Sequence, residues 1–314
     1  MSEKAAERGY YDYPVVKRPV WTWEIPVYFW LGGIGGGAFV TSSLAQRFGS
    51  EEDARSLADG FYLAAAALLP CTPLLIKDLG RPDRFHHMLR IFKPVSPMNL
   101  GAWTLAAFTP LAIARAAAGV ADSARSPASF RLLMRLLPRR ITETVGSLLG
   151  LTLAGYTGVL LAATNVPLWA KSKLLGGLFT ASALSSGSAA VGLLSARRGA
   201  ADTTLHRLSL LESASSVGEL GFLAGYLVQS GKTGRPLTRG RFAPPFWLGA
   251  VGLGALLPLA LHQLARRQRG HRLRFLTGLA SSMSILGSLA LRWSVFEAGK
   301  ESSQDQAASF ELSS

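Results

Sequence analysis

The sequence predicts an all-α integral membrane protein with eight transmembrane helices, on three observations. Of 314 residues, 49% are hydrophobic and only 17% charged, and the mean hydropathy of +0.26 is high for a soluble enzyme. Apolar runs of the length needed to cross about 30 Å of hydrocarbon, about 20 residues, recur along the chain. The basic residues behind the formal charge of +14 lie between these runs rather than on one polar face. Headgroups and membrane topology therefore account for that charge, and nucleic acid is not an expected partner.

The windows are 26–48, 60–77, 98–114, 141–163, 173–195, 207–230, 244–265 and 273–293. The first is long, follows aromatic residues rather than a basic segment and lacks a small-residue cleavage site, so it reads as a retained helix and not a signal peptide. Its glycine run, Leu31 to Ala38, has no Lys-Ser/Thr after it and so is no phosphate loop. Gly32/Gly36 and Gly33/Gly37 stand at the small-xxx-small spacing that brings helix backbones together. The second window holds Cys71, the single cysteine. One thiol makes no intramolecular disulfide and cannot hold an iron–sulfur cluster, so any cluster belongs to a partner.

The connection from Lys77 to Met98 mixes acids, cations and the imidazoles of His86 and His87. Arg81 can pair with Asp78 across a turn at Gly80-Arg81-Pro82, with Arg84 close by. Such a cluster serves a site or simply orients two helices. Residues 127–140 place Arg131 and Arg135 one turn apart among apolar residues, the pattern of an interfacial helix on anionic lipid. Residues 300–314 are Ser-, Gln- and Ala-rich and read as a tail.

Counted with the helix edges, connections after odd windows carry 16 Lys and Arg against 11 after even ones, and the tails add 6. Compared connection with connection, the positive-inside rule puts both termini outside. Trp21, Trp23, Trp103, Trp169, Trp247 and Trp293 all fall at the tail end of the bundle, either as interfacial anchors or as an aromatic face for a ring-shaped lipid or partner. Within the spans, Glu212 and Glu219 are seven residues apart on one helix face beside Ser213, Ser215 and Ser216. Such buried acids form a polar track for protons or a hydrogen-bond network that fixes helix register. His206 and His262 lie near helix ends, shallower than paired haem ligands, and no haem is expected. No motif for a zinc site, P-loop or nucleophile triad is visible, and no metal ligands are assigned.

Asp78-Leu79-Gly80-Arg81-Pro82 together with Phe92-Lys93-Pro94-Val95-Ser96-Pro97-Met98 closely resembles the NrfD family, the membrane subunit of polysulfide reductase and its relatives. Trp23-Glu24-Ile25-Pro26-Val27-Tyr28-Phe29 is similar to that family's first helix. Tyr156-Thr157-Gly158-Val159-Leu160-Leu161 with Pro167-Leu168-Trp169 resembles its fourth, and Leu291-Arg292-Trp293 with Ala298-Gly299-Lys300 its last. The resemblance covers about residues 20–305.

It implies a haem-free protein of two four-helix bundles, 26–163 and 164–293, between tails at 1–25 and 294–314. It implies a menaquinone or ubiquinone held by the first bundle near the outer surface of a bacterial inner membrane. A ferredoxin-like iron–sulfur subunit, holding all the clusters, and a catalytic subunit, with molybdopterin as its candidate cofactor, are the implied partners. A quinone needs a hydrogen-bonding group at each carbonyl and a proton route. Tyr156 and Tyr28 are the expected donors, Glu24 or His86 the proton-exchanging group, and Glu212, Glu219 and Arg292 a proton path. Some relatives carry histidine or asparagine where this chain has Thr22 and Glu24. Rival readings are an ion- or proton-coupled secondary transporter and a structural anchor without quinone turnover.

Overall fold

The structure, a computed structural model, describes residues 17–121, 129 and 138–304. These residues form helices joined by short turns, with no strand among the described residues. Helix α1 (Glu24–Phe48) fills the first window. The second is divided into α2 (Glu51–Ser56), α3 (Asp59–Leu68) and α4 (Cys71–Asp78). The break between α3 and α4 falls at Pro70, which lacks the N–H a continuous helix requires. After a 3₁₀ segment, Pro82–Leu89, follow α5 (Pro97–Ala121), α6 (Arg139–Ala162), the short α7 (Pro167–Ala170), α8 (Leu175–Arg197) and α9 (Asp202–Ser230). The short α10 (Arg235–Thr238), a π-helical stretch at Pro245–Leu256 that runs into α11 (Leu257–Ala265), and α12 (Gly270–Ser302) complete the chain.

Among the described residues, six stretches are long and apolar enough to cross a membrane: Glu51–Asp78, α5, α6, α8, Pro245–Ala265 and α12. The other two windows are occupied by α1 and α9. Five glycines with Pro26, Tyr28 and Trp30 dilute the hydropathy of α1, and Glu212, Glu219 and five serines that of α9. Yet α9 is polar on the inside and apolar on the outside. Ser209, Glu212, Ser216 and Glu219 are buried, whereas Leu210, Val217, Phe222 and Val228 are exposed. Large apolar residues also face outward from α5, α6, α11 and α12, among them Ile113, Leu148, Leu257 and Leu286. Apolar side chains outward and serines inward is the pattern of helices solvated by lipid, and the chain is a multi-pass membrane protein.

The glycine run packs as its spacing predicts, each pair on its own neighbour. Gly32 faces Leu153 and Gly36 faces Gly150, both on α6, while Gly33 and Gly37 face Ala183 of α8. A Cβ at Gly36 would stand 2.5 Å from the Gly150 carbonyl oxygen, so any larger residue would force α1 and α6 apart. Helix α1 thereby touches α3, α6, α8 and α12, and α8 touches α1, α6, α9 and α12.

Several expected boundaries are corrected. Helix α12 continues nine residues past Trp293 because Val295, Phe296 and Ala298 are buried against the core around Trp169, so a tail beginning at 294 is ruled out for residues 294–302. Most of the interfacial helix expected at 127–140 lies outside the described residues, and its Arg139 and Arg140 open α6 instead. Trp169 is not part of an open aromatic face. It is fully buried between Trp21 and Phe296, with ring centroids at 6.1 and 5.8 Å, and donates from Nε1 to the Val295 carbonyl at 2.8 Å. Lys300 Nζ donates to the Trp21 carbonyl at 3.2 Å, so the two ends of the described chain meet on one side of the bundle.

Candidate functional site

On that side the first turns of α1 and α5 and the last turns of α4 and α6 converge. Tyr28 projects from α1 and Tyr156 from α6, at 0% and 6% exposure. The two phenols are neighbours, with Cys71 beside them. Among the described residues the Tyr28 hydroxyl makes no hydrogen bond, and the polar group beside it is the Tyr156 phenol. Burying a hydroxyl unpaired is costly, and an orphaned donor is a place where a ligand oxygen fits. A carbonyl oxygen accepts what a phenol donates, so these residues suit a quinone carbonyl.

Glu24 sits just ahead of the apolar window. Its carboxylate takes the Thr22 hydroxyl and pairs with Lys77 Nζ at 2.9 Å, and that ammonium lies 4.8 Å from the Trp23 ring centroid. The Thr22 hydroxyl, opposed by partial desolvation and helped by Lys77, holds the Glu24 carboxyl below its ordinary value. Asp78 does not use Arg81. It accepts from Thr22 N at 3.0 Å and shares the single Thr22 hydroxyl proton with Glu24, its oxygen 2.9 Å from Oγ1, tying the lead-in of α1 to the end of α4. Arg81 and Arg84 are exposed, and Arg84 lies 3.9 Å from Asp83. His86 is also exposed, its ring 4.4 Å from that of His87, and no contact among the described residues brings it to the tyrosines.

The second half holds a buried polar chain. Glu212 accepts from Ser284 Oγ at 2.7 Å and Ser281 Oγ at 3.1 Å, and lies 3.1 Å from His262 Nε2. One turn along α9, Ser216 meets Ser185 of α8 at 2.9 Å. One turn along α8, Ser182 accepts from Arg292 Nη1 at 3.1 Å, while Arg292 also donates to the Ser288 and Phe179 carbonyls. Glu219 lies against Ser182 and within reach of the charge on Arg292. Arg292 is fully buried, and a Cβ at Gly33 would stand 2.7 Å from its Nη2. Glycine at 33 is what lets the guanidinium reach α1.

Sequence reasoning misses two features of this interior. It weighs His262 only as a haem ligand and sets that role aside, whereas the structure places its Nε2 3.1 Å from Glu212. Arg115 and Glu143 form a buried pair, 2.8 Å from Nη2 to Oε1, with the guanidinium 4.1 Å from the Phe61 ring centroid. Both carry a signal, for Glu143 lies within a window and Arg115 one residue past another.

A lipid-solvated helical protein with buried charges in its core and an orphaned phenol near one surface is the class these features define. Residues 14–302 match the family model described as "Polysulphide reductase, NrfD". The sequence is 30% identical to the C subunit of polysulfide reductase from Wolinella succinogenes over 302 residues, 90% of this protein and 94% of that one. It is 25% identical to protein NrfD of Escherichia coli over 305 residues, covering 90% and 95%. It is also 25% identical to the NrfD homolog of Haemophilus influenzae, covering 92% and 98%. The chain belongs to the NrfD family and, with it, to the membrane subunits of oxidoreductases.

Proposed function

We propose that this subunit binds a membrane quinone between Tyr28 and Tyr156 and exchanges electrons and protons between it and a partner iron–sulfur subunit. The orphaned, buried hydroxyl of Tyr28 beside Tyr156 carries the proposal. When bound, the quinone supplies paired two-electron and two-proton chemistry. Tyr28 and Tyr156 would donate to its oxygens, and Leu153, packed against Gly32 beside Tyr28, would exclude water. Glu24, ionised at neutral pH, would order the entrance through Thr22 and Lys77 rather than deliver protons.

The proton route runs through the second half: His262, Glu212, Ser216 with Ser185, Ser182, then Arg292 and Glu219. Arg292 rests on Gly33 of α1, the helix that carries Tyr28 five residues earlier, so this chain of groups ends against the helix that bears the first phenol. Helices α1 and α9 complete eight spans, in two sets of four joined where α1 meets α8. Exposed Phe85, Ile91, Phe92 and Val95 in the connection after α4 offer an apolar face on the same side for the iron–sulfur partner, through which a catalytic subunit is reached. The preponderance of basic connections at the far end places the termini on the periplasmic side of a bacterial inner membrane.

Quinone content of the purified complex tests the reading. Wild type retains quinone and the Tyr28→Phe/Tyr156→Phe double variant loses it. Unchanged content would place the quinone elsewhere, and a complex that never contains quinone would favour a transporter or a bare anchor.

A further inference from the structure

We propose that the clefts on either side of Phe275, at the end of the bundle away from the chain termini, bind one anionic phospholipid. This site is independent of the quinone reading. Two adjoining clefts of about 400 and 440 Å³ share His271 and Phe275. Arg197 from the end of α8 and Arg274 from the start of α12 line the first, and Arg272 the second. Below these cations the lining turns apolar, with Leu193, Gly278 and Leu279 in the first cleft and Leu276 in the second. Phe275 and Leu279 are exposed on the surface that faces lipid.

The charge pattern is what points to a ligand. Three arginines elsewhere at this end are matched by acids: Arg55 by Glu51, Arg198 by Asp59 and Arg207 by Asp53. Arg197, Arg272 and Arg274 pair with no acid among the described residues, and no acid lines either cleft. Among the described residues, Arg274 reaches only the Gly199 carbonyl, at 3.5 Å, and its buried Nε has no partner. Asp202, in the adjoining turn, is engaged by Gly270 N at 2.9 Å and caps the start of α12. Three guanidiniums lining two adjoining clefts with no acid among them favour an anion that bridges them. Guanidinium forks match phosphate oxygens, and basic pockets between transmembrane helices take lipid headgroups. A free phosphate would satisfy the cations but leave the apolar half of each cleft unused, whereas a glycerophospholipid fills both.

The experiment uses the intact complex in nanodiscs of phosphatidylcholine with a minority of phosphatidylglycerol, read by native mass spectrometry of the retained lipid. Wild type should retain phosphatidylglycerol in preference to phosphatidylcholine. Arg197→Gln with Arg274→Gln should cut that preference by on the order of tenfold, and the Arg197→Lys/Arg274→Lys pair should keep part of it. Gly278→Leu is the second arm. A Cβ there meets only Leu193 Cδ1, at 3.7 Å, so the helix admits a larger side chain, which takes up space in the cleft that Gly278 lines and deletes no charge. It should also lower retention. Equal retention of the two lipids by wild type, or retention indifferent to the glutamine pair, overturns the proposal. Lipid displaced by excess inorganic phosphate, with Gly278→Leu behaving as wild type, assigns the cations to a soluble anion and overturns it too.

Discussion

Gly101 lies flat against the Tyr156 ring: a Cβ at 101 would overlap both the ring and its hydroxyl. Helix α5 therefore approaches α6 only because residue 101 has no side chain. Gly101→Ala is expected to displace the phenol and lower quinol turnover, without deleting any polar atom. Tyr156→Phe deletes only the hydroxyl and is expected to cut turnover by about a hundredfold, the usual cost of one hydrogen bond to a reacting oxygen. Both are measured as quinol-analogue oxidation per assembled complex. Full activity in Tyr156→Phe would remove this phenol from the site.

Tyr28→Phe separates ligand binding from structure by the sign of its effects. An unpartnered buried hydroxyl costs about 1–3 kcal/mol. Removing it should raise the thermal stability of the quinone-free complex by on the order of 1 kcal/mol, while quinone retention falls. Loss of stability along with retention would show that this hydroxyl serves packing and not a ligand.

Glu24 has a carboxyl held below its ordinary value, so the sign of its pH effect is fixed. Stability drawn from its contacts with Thr22 and Lys77 is fully present above pH 4.5, the ordinary value, and drains away as pH falls through the lower folded value. Between roughly pH 6 and 8 it stays ionised. The pH profile of quinol oxidation in that range should then be identical in wild type and Glu24→Gln. A titration near neutrality that vanishes in Glu24→Gln would restore it as a proton-exchanging group.

Much of this organisation is legible in the sequence, because lipid imposes simple rules on length and polarity. The glycine spacing of α1 gives its two packing faces, and Glu212 and Glu219 are conspicuous as acids in apolar windows. Arg115 is hidden by the same procedure, since drawing a span to stop at a charge places a buried guanidinium in a loop. Its partner Glu143 and the Phe61 ring come from other helices, a juxtaposition that local patterns do not carry. Asp78 illustrates the same limit. Proximity in sequence favours Arg81, but Thr22, 56 residues away, takes the carboxylate. The orphaned state of the Tyr28 hydroxyl is a property of packing alone.

Cys71 is fully buried and is the single cysteine, so the protein is a clean background for labelling. With termini outside, Gln304→Cys should react with a membrane-impermeant maleimide in intact cells, and Glu52→Cys, exposed at the opposite end, should not. The reverse pattern would invert the topology. Labelling of both from outside would mean that an even number of segments crosses between them, and that the count of eight is wrong.

Glu212 decides whether the polar chain carries protons or only fixes helix register. Glu212→Gln keeps nearly the same volume and an acceptor for one of the two serines, Ser281 and Ser284, which donate to different carboxylate oxygens, but it can no longer take up and release a proton. Ser284→Ala does the opposite, since it removes one donor, at about 1–3 kcal/mol for the group left short of a partner, and leaves the carboxylate. If Glu212 relays protons, Glu212→Gln slows proton transfer in sealed proteoliposomes by at least about tenfold, toward the losses typical of a missing acid–base group. Electron transfer measured with the membrane made leaky to protons should survive, because no electron passes through this residue. Ser284→Ala should lower the melting temperature while proton transfer continues. A structural network gives the converse: Glu212→Gln would destabilise the subunit through the lost pairing with His262 and would leave proton movement per electron unchanged in whatever complex remains.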